Sequence, residues 1–526
     1  MRKDSPCYEL ERLDCPPSNP PGNSGLKVAL PACLAGLIAV ICFLWSSGPF
    51  QFPYDDSFIT LEFARNMAAT GRLSYDGIHA TVGTTTLLHV LLLSVPARLG
   101  LSLELASVTL GVLFFVLLIQ RTAALAMYLT QSWEASLYAA MATALTGYLV
   151  FDALNGMETT LFMFLTVACV GSLIKACDQG RGYLWPAFWL YLTALARPEG
   201  FWLAISLMLY VAVFAARQRQ GRWRLASLAG HLAGAVLLVL LTQWLIIGTV
   251  RPHSALTKVY LYNQFRLPLH LRSIMYGQKM REIWEPLILP LLPVLWTRKA
   301  RPLVVGVLPW ILITQVMFWL LLPNEVGTYE GRYLHPLMPF LFILAGDGFS
   351  VLLHQMGEYR IPRWAIAVFL AILAGILYFN LVSMQGAYVD DKAGIRNNNI
   401  WAVQWLKAHA PPGILVATHD IGALRYLGRY ELVDVSGLTD EEAMAKNRAE
   451  RGQVEYLFAR RPDYLVGDAG WLRHLLHYFP AIRCCATELA AAHPNALTGI
   501  RLRIYRLHWD QMGKRPPQAE GASSLR

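Results

Sequence analysis

The sequence predicts a polytopic α-helical membrane protein with about eleven spans and a small external α/β domain near its C-terminus. Of its 526 residues, 55% are hydrophobic and only 15% are charged, with a mean hydropathy of +0.39. Soluble domains carry about 25% charged residues. Long apolar runs alternate with short loops that contain Lys and Arg, and the chain becomes more polar after Gln385. The net charge of +10 therefore reflects membrane topology and does not indicate a nucleic-acid partner.

The N-terminal region predicts a tail followed by a membrane anchor. Residues 1–27 are polar and proline-rich, without hydrophobic periodicity, so we expect a disordered cytoplasmic tail. The apolar run from Val28 to Trp45 lacks a small-residue cleavage site and is interpreted as the first span, not a removed signal peptide. An external loop, residues 46–102, follows it, and the transmembrane domain as a whole is expected to cover residues 28–384.

The remaining spans are assigned from apolar runs of sufficient length. They are expected at residues 103–120, 135–151, 158–175, 184–196, 200–216, 225–247, 284–297, 302–322, 332–353 and 364–384. The run from Thr84 to Pro96 is short, which favours an interfacial or re-entrant segment. The basic loops then all lie on the side of the N-terminal tail, so we expect a multi-pass protein of the inner (cytoplasmic) membrane with its C-terminal domain outside.

Residues 385–509 predict the external α/β domain because short helical and β-strand patterns alternate there. We expect helices at 400–408 and 440–460, strands at 414–417, 432–434 and 464–466, and an edge strand at 501–507. Residues 510–526 are a polar tail.

Two adjacent carboxylates, Asp55 and Asp56, follow the first span at the membrane boundary. Adjacent acids repel and desolvation raises the pKa of at least one of them, which makes the pair a functional candidate. A solvated turn or a helix N-cap would explain the same residues. The topology places further charged residues at span ends on the same side, and such charges are usually paired or functional: Asp152, Glu158, Arg197, Glu199, Lys258, Glu325, Glu330 and Arg332.

The loop 249–283 is long, external, basic and rich in tyrosine. Loops of this length are often functional lids, and this one would suit an anionic head group. An interfacial belt of aromatic residues with snorkelling cations is the alternative.

Several motifs resemble those of GT-C-fold glycosyltransferases, in matching order and spacing from about residue 28 to 510. They are Asp55-Asp56-Ser57-Phe58-Ile59, Asn155-Gly156-Met157-Glu158-Thr159, Ala196-Arg197-Pro198-Glu199-Gly200, Arg332-Tyr333-Leu334-His335-Pro336 and His419-Asp420-Ile421-Gly422-Ala423. The chain most resembles terminal arabinofuranosyltransferase-like proteins, and more distantly protein O-mannosyltransferases and lipid A aminoarabinose transferases. The segment Thr84–Leu88 departs from the family pattern because it lacks a proline.

The resemblance implies inverting transfer of a sugar from a polyprenyl-phosphate donor to a glycan, lipid or protein acceptor at the external face, among membrane lipids. Asp55 would be the general base, and Asp56 would place the acceptor or a partner cation. The absence of a glycine-rich phosphate-loop motif agrees with a lipid-linked donor. A transporter or flippase for a lipid-linked sugar and a non-catalytic envelope-assembly protein are the alternatives.

The donor phosphate needs cations, for which Arg197, Arg332 and Lys258 are the candidates in that order. Arg197 could instead pair with Glu199 across the intervening proline, and the other two could simply snorkel. Glu158 would contact sugar or acceptor hydroxyls, or merely favour a helix N-terminus.

Four further residues of these motifs are substrate-binding candidates: Arg65, Tyr333, His419 and Asp420. The His419-Asp420 pair could close over the acceptor, or could form an ordinary turn. No cofactor is assigned. The aspartate pair could hold Mg²⁺ or Ca²⁺ through oxygen ligands, although no calcium-loop spacing is present.

Overall fold

A computed structural model describes residues 24–79, 81, 83–217, 222–248, 256–257, 268–288, 309–310, 313–314, 316–317, 319–320, 328–449, 452–478, 482–494 and 501–511. The helices of the membrane region are α1 (Ser24–Ser47), α2 (Asp55–Thr70), α3 (Leu87–Arg98), α4 (Leu103–Thr130), α5 (Trp133–Leu145), α6 (Gly147–Leu154), α7 (Thr159–Gln179), α8 (Leu184–Ala196), α9 (Glu199–Arg217), α10 (Arg222–Ile247), α11 (Leu269–Ile288), α12 (Met338–Glu358) and α13 (Arg363–Ile395).

The C-terminal region continues with a π-helix (Arg396–Ile400) and with α14 (Trp401–His409), β1 (Leu415–Thr418), α15 (Gly422–Tyr426), β2 (Glu431–Asp434), α16 (Glu441–Lys446), α17 (Gly452–Arg460), β3 (Tyr464–Asp468), α18 (Ala469–Tyr478), α19 (Ile482–Cys485), β4 (Ala486–Ala491) and β5 (Leu502–Leu507). Short 3₁₀ turns lie at Thr328–Gly331, His335–Leu337 and Trp509–Gln511.

The described residues contain six helices that are long and apolar enough to cross a membrane, or seven if the bent pair α5–α6 forms one span. Helices α3, α8 and α9 are apolar but shorter. The predicted spans 284–297 and 302–322 lie largely outside the described residues. A polytopic membrane protein is confirmed, and the count of about eleven stays a prediction.

The membrane core forms where α1, α4, α5, α7 and α12 pack together. Small residues allow close approach of these helices. At Gly346 in α12, for example, an added Cβ would lie 2.5 Å from the carbonyl oxygen of Ala135 in α5. Between α5 and α6 the chain bends by 54°, and the side-chain oxygen of Asn380 accepts the freed amide of Gly147 at 2.8 Å.

The C-terminal domain is a five-stranded sheet with the order β2-β1-β3-β5-β4. Strands β2, β1 and β3 are parallel, whereas β5 runs antiparallel to both β3 and β4. The three predicted parallel strands agree with the observed ones within a residue or two. Two expectations were wrong: 440–460 contains two helices, α16 and α17, and the strand at 501–507 is internal because β4 pairs with its outer side.

Two connections fix this domain to the membrane region. Helix α13 continues without a loop into the π-helix and α14, and the side-chain oxygen of Asn398 in the π-helix accepts the amide of Leu502 in β5 at 2.8 Å. Helix α2 lies between α3 and α15. The spacing of apolar residues at 58–69 predicts an amphipathic helix on the membrane surface; the helix is present, but its apolar face packs against protein.

A loop after β2 also contacts the first external loop. The buried carboxylate of Asp434 accepts the amides of Gly437 and Thr439 at 3.0 and 2.7 Å and thereby shapes this loop. The hydroxyl of Thr81 donates to the carbonyl of Thr439 at 2.9 Å, and a Cβ added to Gly83 would lie 2.7 Å from the carbonyl oxygen of Leu438. The α/β domain is therefore seated on the residues that surround α2.

Candidate active site

The two aspartates at the start of α2 face different parts of the protein. Asp55 is buried against the α/β domain, where its carboxylate accepts the amides of Gly422 and Ala423 at 2.6 and 2.8 Å. The side-chain amide of Asn399, from the π-helix, donates to the same carboxylate at 3.2 Å. Asp55 is therefore held in one orientation by groups that lie 344 to 368 residues away along the chain.

The environment of Asp55 favours its protonated form. Burial, followed by the nearby carboxylate of Asp420, raises the pKa of Asp55 to about 7, against the lowering effect of the amides of Gly422 and Ala423. A carboxylate with such a pKa is half ionised near neutrality and can exchange a proton there.

Gly422 is required for this contact. A Cβ at this position would lie 2.7 Å from the carboxylate oxygen Oδ2 of Asp55 and closer still to its carbonyl oxygen. We therefore expect Gly422→Ala to push α15 away from α2 and to destabilise their contact by about 1–3 kcal/mol, as other overpacking changes do. Limited proteolysis and the thermal unfolding midpoint would measure this effect. Gly386→Ala, at a glycine of α13 where an added Cβ would meet nothing within 4 Å, is the control, and equal stability of the two variants would contradict the prediction.

Asp56 faces the membrane region and lies beside Arg332. One carboxylate oxygen of Asp56 is 3.6 Å from the guanidinium of Arg332, and about a quarter of the Asp56 side chain is exposed. The guanidinium also donates to the hydroxyl of Tyr333 at 3.3 Å and contacts the sulfur of Met157. Its Nε atom is buried and has no hydrogen-bond partner in the described part of the chain. Arg332 is thus a buried cation with a loosely placed counter-ion.

Arg197 lies in the same cluster but is more fully paired. Its guanidinium contacts Glu199 at 2.6 Å and Glu158 at 3.4 Å, and it lies over the ring of Tyr333 at 4.8 Å from the centroid. The second oxygen of Glu158 and the Nη1 atom of Arg197 are both buried without a hydrogen-bond partner among the described residues. The predicted alternative in which Arg197 pairs with Glu199 is therefore observed, and Arg332 is the cation with more freedom to receive an anion.

A buried polar pair supports the segment that carries Arg332. The imidazole Nδ1 of His335 lies 2.6 Å from a carboxylate oxygen of Asp152 in α6, and its Nε2 lies 3.1 Å from the carbonyl of Glu330. The amide of Asn155 donates to the other oxygen of Asp152 at 3.1 Å. These bonds fix the backbone on both sides of Arg332.

The structure brings together most of the residues that the sequence predicted. Asp56, Glu158, Arg197, Glu199, Arg332 and Tyr333 form one cluster. Arg65 lies elsewhere, because its guanidinium pairs with Glu62 and donates to the carbonyl of Tyr426 at 3.1 Å, at the seat of the α/β domain. Lys258 lies outside the described residues, as does about half of the loop 249–283.

His419 and Asp420 lie on the opposite side of Asp55, at the end of β1, and both interact electrostatically with it. Asp55 therefore stands between the arginine cluster and the α/β domain.

The divalent cation considered for the aspartate pair stays a prediction, and in this structure both carboxylates already have other partners. The carboxylate of Asp55 receives hydrogen bonds from three N–H groups, and that of Asp56 faces a guanidinium. Within the described ranges no group of three or more His, Cys, Asp or Glu side chains is arranged to hold a metal ion.

Sequence reasoning missed four participants. Asn399 and the amides of Gly422 and Ala423 bind Asp55, and Asp468 pairs with His419. The run of asparagines at 397–399, directly after the last span, was a signal that could have pointed to Asn399. The sequence gives no comparable indication that the backbone amides of Gly422 and Ala423 bind Asp55.

Solved structures with a similar overall path share the arrangement of helices and domain. ArnT from Cupriavidus metallidurans in the apo state is 15% identical, with a TM-score of 0.53, and the match covers 92% of this chain and 98% of ArnT. The same protein bound to undecaprenyl phosphate gives a TM-score of 0.50 at 15% identity, over 92% and 99% of the two chains. The chain has the GT-C fold. This confirms the fold that the motifs indicated.

One further solved structure and one family model are also similar to this chain. The archaeal oligosaccharyltransferase AglB from Archaeoglobus fulgidus, in complex with an inhibitory peptide and a dolichol-phosphate, is 12% identical with a TM-score of 0.49, over 91% of this chain and 74% of AglB. Residues 392–511 match a domain of unknown function, DUF8728, whose limits coincide with the end of α13 and the whole α/β domain. No curated protein sequence matches the chain.

Proposed function

We propose that this protein is a GT-C glycosyltransferase that moves a sugar from a polyprenyl-phosphate donor to a hydroxyl group of an acceptor. The reaction would take place on the side of the membrane that carries the α/β domain, which the positive-inside rule assigns to the outside. The observation that carries the proposal is the division of the aspartate pair: Asp55 meets the α/β domain, and Asp56 meets a buried arginine.

The cluster around Arg332 suits the phosphate group of the donor. A polyprenyl phosphate becomes a leaving group with developing negative charge, which a guanidinium stabilises through charge-assisted hydrogen bonds. Arg332 offers a buried N–H without a partner in the described structure, and Asp56 holds it without a close hydrogen bond. ArnT, which shares the fold, has been solved with bound undecaprenyl phosphate. We assign the donor phosphate to Arg332 and give Arg197 the role of placing Glu158.

The position of Asp55 suits the activation of the acceptor hydroxyl. An alcohol is a weak nucleophile, and a positioned carboxylate that takes its proton accelerates attack. Asp55 takes the proton as the acceptor oxygen bonds to the anomeric carbon. The bond from that carbon to the phosphate oxygen breaks, and its electron pair leaves with the polyprenyl phosphate beside Arg332. A single displacement of this kind inverts the anomeric centre.

The test uses full-length protein in lipid nanodiscs, a panel of undecaprenyl-phosphate-linked sugars, and a cell-envelope extract as the source of acceptor. Release of free undecaprenyl phosphate, together with an inverted glycosidic linkage in the product, is the expected result. In vesicles, transfer of intact donor across the membrane without release would instead identify a transporter or flippase. The lack of both activities would leave a role in envelope assembly.

A further inference from the structure

The topology of the parallel part of the sheet predicts a crevice at its carboxyl edge. Strand β1 connects to β2 on one side, and the chain then crosses to place β3 on the other side of β1. The direction of connection therefore reverses between β1 and β3. In open sheets with parallel strands, ligands bind outside the carboxyl ends of the strands at such a reversal.

Three polar side chains meet in this crevice. His419 directly follows β1, and its Nε2 atom lies 3.2 Å from a carboxylate oxygen of Asp468, the last residue of β3. The same nitrogen lies 3.6 Å from Asp420. The imidazole packs on the indole of Trp471, with 4.9 Å between ring centroids, which fixes its orientation. About a quarter to a third of each polar side chain is exposed, so a ligand can reach all three.

The charges of these three side chains restrict the chemical class of ligand that the crevice can bind. Burial opposes a charge on His419, but Asp420 and Asp468 raise its pKa to about 9, so the ring is an imidazolium at neutral pH. Among the described residues no group of side chains here is arranged to hold a metal ion, and the excess of carboxylates repels phosphate. The remaining Nδ1–H is buried and has no acceptor in the described part of the chain. The crevice thus offers carboxylate acceptors and one charged donor, which suits a neutral ligand with several hydroxyl groups.

We infer that the crevice formed by His419, Asp420 and Asp468 binds hydroxyl groups of a carbohydrate acceptor. The inference rests on the proposed glycosyl transfer and narrows its acceptor from glycan, lipid or protein to a glycan. Asp420 and His419 are electrostatic neighbours of Asp55, and the next two residues, Ile421 and Gly422, lead to the amide that binds Asp55. A sugar held in the crevice would therefore lie beside the proposed base, on the side opposite Arg332.

The test measures glycoside binding without donor. Full-length protein in nanodiscs is examined by saturation-transfer NMR with four methyl glycosides: α-D-mannopyranoside, α-D-glucopyranoside, α-D-arabinofuranoside and β-D-galactofuranoside. N-acetylserine amide and glycerol 3-phosphate stand for a protein and a lipid head group. We expect at least one glycoside to bind and neither of the other two probes. His419→Gln and Asp468→Asn should each weaken that binding about tenfold, because each removes a hydrogen bond to a charged group.

The variants have matched controls. His409 also stacks on a tryptophan, Trp405, but lies in α14, so His409→Gln should leave glycoside binding unchanged. The asparagine of Asp468→Asn retains an oxygen to accept the amides of Gly470 and Trp471, which preserves the start of α18. If thermal unfolding shows that this variant is not folded, Asp420→Asn takes its place.

The inference is overturned if no glycoside binds the wild type, if binding is unchanged in both crevice variants, or if N-acetylserine amide or glycerol 3-phosphate binds in their place. Undecaprenyl phosphate is titrated in parallel. Arg332-dependent binding of that lipid without glycoside binding would refute the crevice site and leave the proposed function standing.

Discussion

Replacing Asp55 by asparagine is expected to lower the turnover number for sugar transfer about 10²–10⁴-fold, the usual contribution of a general base. Because the base must be ionised, wild-type turnover should rise with pH through about 7, the pKa of Asp55, and level off above it. Affinity for undecaprenyl phosphate should change little, since the arginine cluster is untouched. Steady-state kinetics between pH 5 and 9, with a separate lipid titration, would measure these quantities.

A weakened contact with the α/β domain would also lower the turnover of Asp55→Asn. An asparagine has one acceptor oxygen, whereas Asp55 accepts hydrogen bonds with both carboxylate oxygens. Asn399→Ala removes one hydrogen bond of this contact without adding a clash and keeps the carboxylate. If that variant loses as much turnover as Asp55→Asn, or if wild-type turnover does not depend on pH between 5 and 8, the assignment of Asp55 as base fails. Asp56→Asn should alter donor affinity and leave the pH dependence intact.

The sequence was most informative where hydrophobicity dominates. The long apolar helices and the three parallel strands were predictable because apolar runs and their periods are local properties. Strand β4 was not predictable from the sequence. Its residues from Ala486, Ala-Thr-Glu-Leu-Ala-Ala, have the composition of a helix. Its pairing with β5 overrides that preference. Helices α16 and α17 are separate where Gly452 lies close to the backbone of Lys446. The sequence pattern does not reveal this contact.

The cluster around Arg332 was predictable for a topological reason. Glu158, Arg197 and Arg332 come from distant parts of the chain, but each stands at a span end on the same predicted side, and unpaired charges are costly there. The pairing itself is observed. The surroundings of Asp55 were not predictable, because they depend on how the α/β domain is seated. Nothing local to residue 55 indicates that Asn399 or the amide of Gly422 will contact it.

The second large effect concerns Arg332. We expect Arg332→Gln to weaken the binding of undecaprenyl phosphate about 10- to 100-fold, because it removes charge-assisted hydrogen bonds to the phosphate. Arg332→Lys should recover part of this affinity, since it restores the charge but not the planar donor geometry. Titration of the nanodisc-embedded protein with a short-chain polyprenyl phosphate would measure both variants.

Arg460→Gln is the matched control for Arg332→Gln, because Arg460 pairs with Asp440 in the α/β domain and has no contact with the cluster. Arg197→Gln is expected to act differently. Its guanidinium is bound to two glutamates, so its loss leaves buried carboxylates unpaired and should lower the thermal unfolding midpoint. A normal affinity for the lipid in both the Arg332 and the Arg197 variants would show that the phosphate binds elsewhere. Loss of affinity in Arg197→Gln with normal binding by Arg332→Gln, at a temperature where both variants are folded, would instead place the phosphate at Arg197.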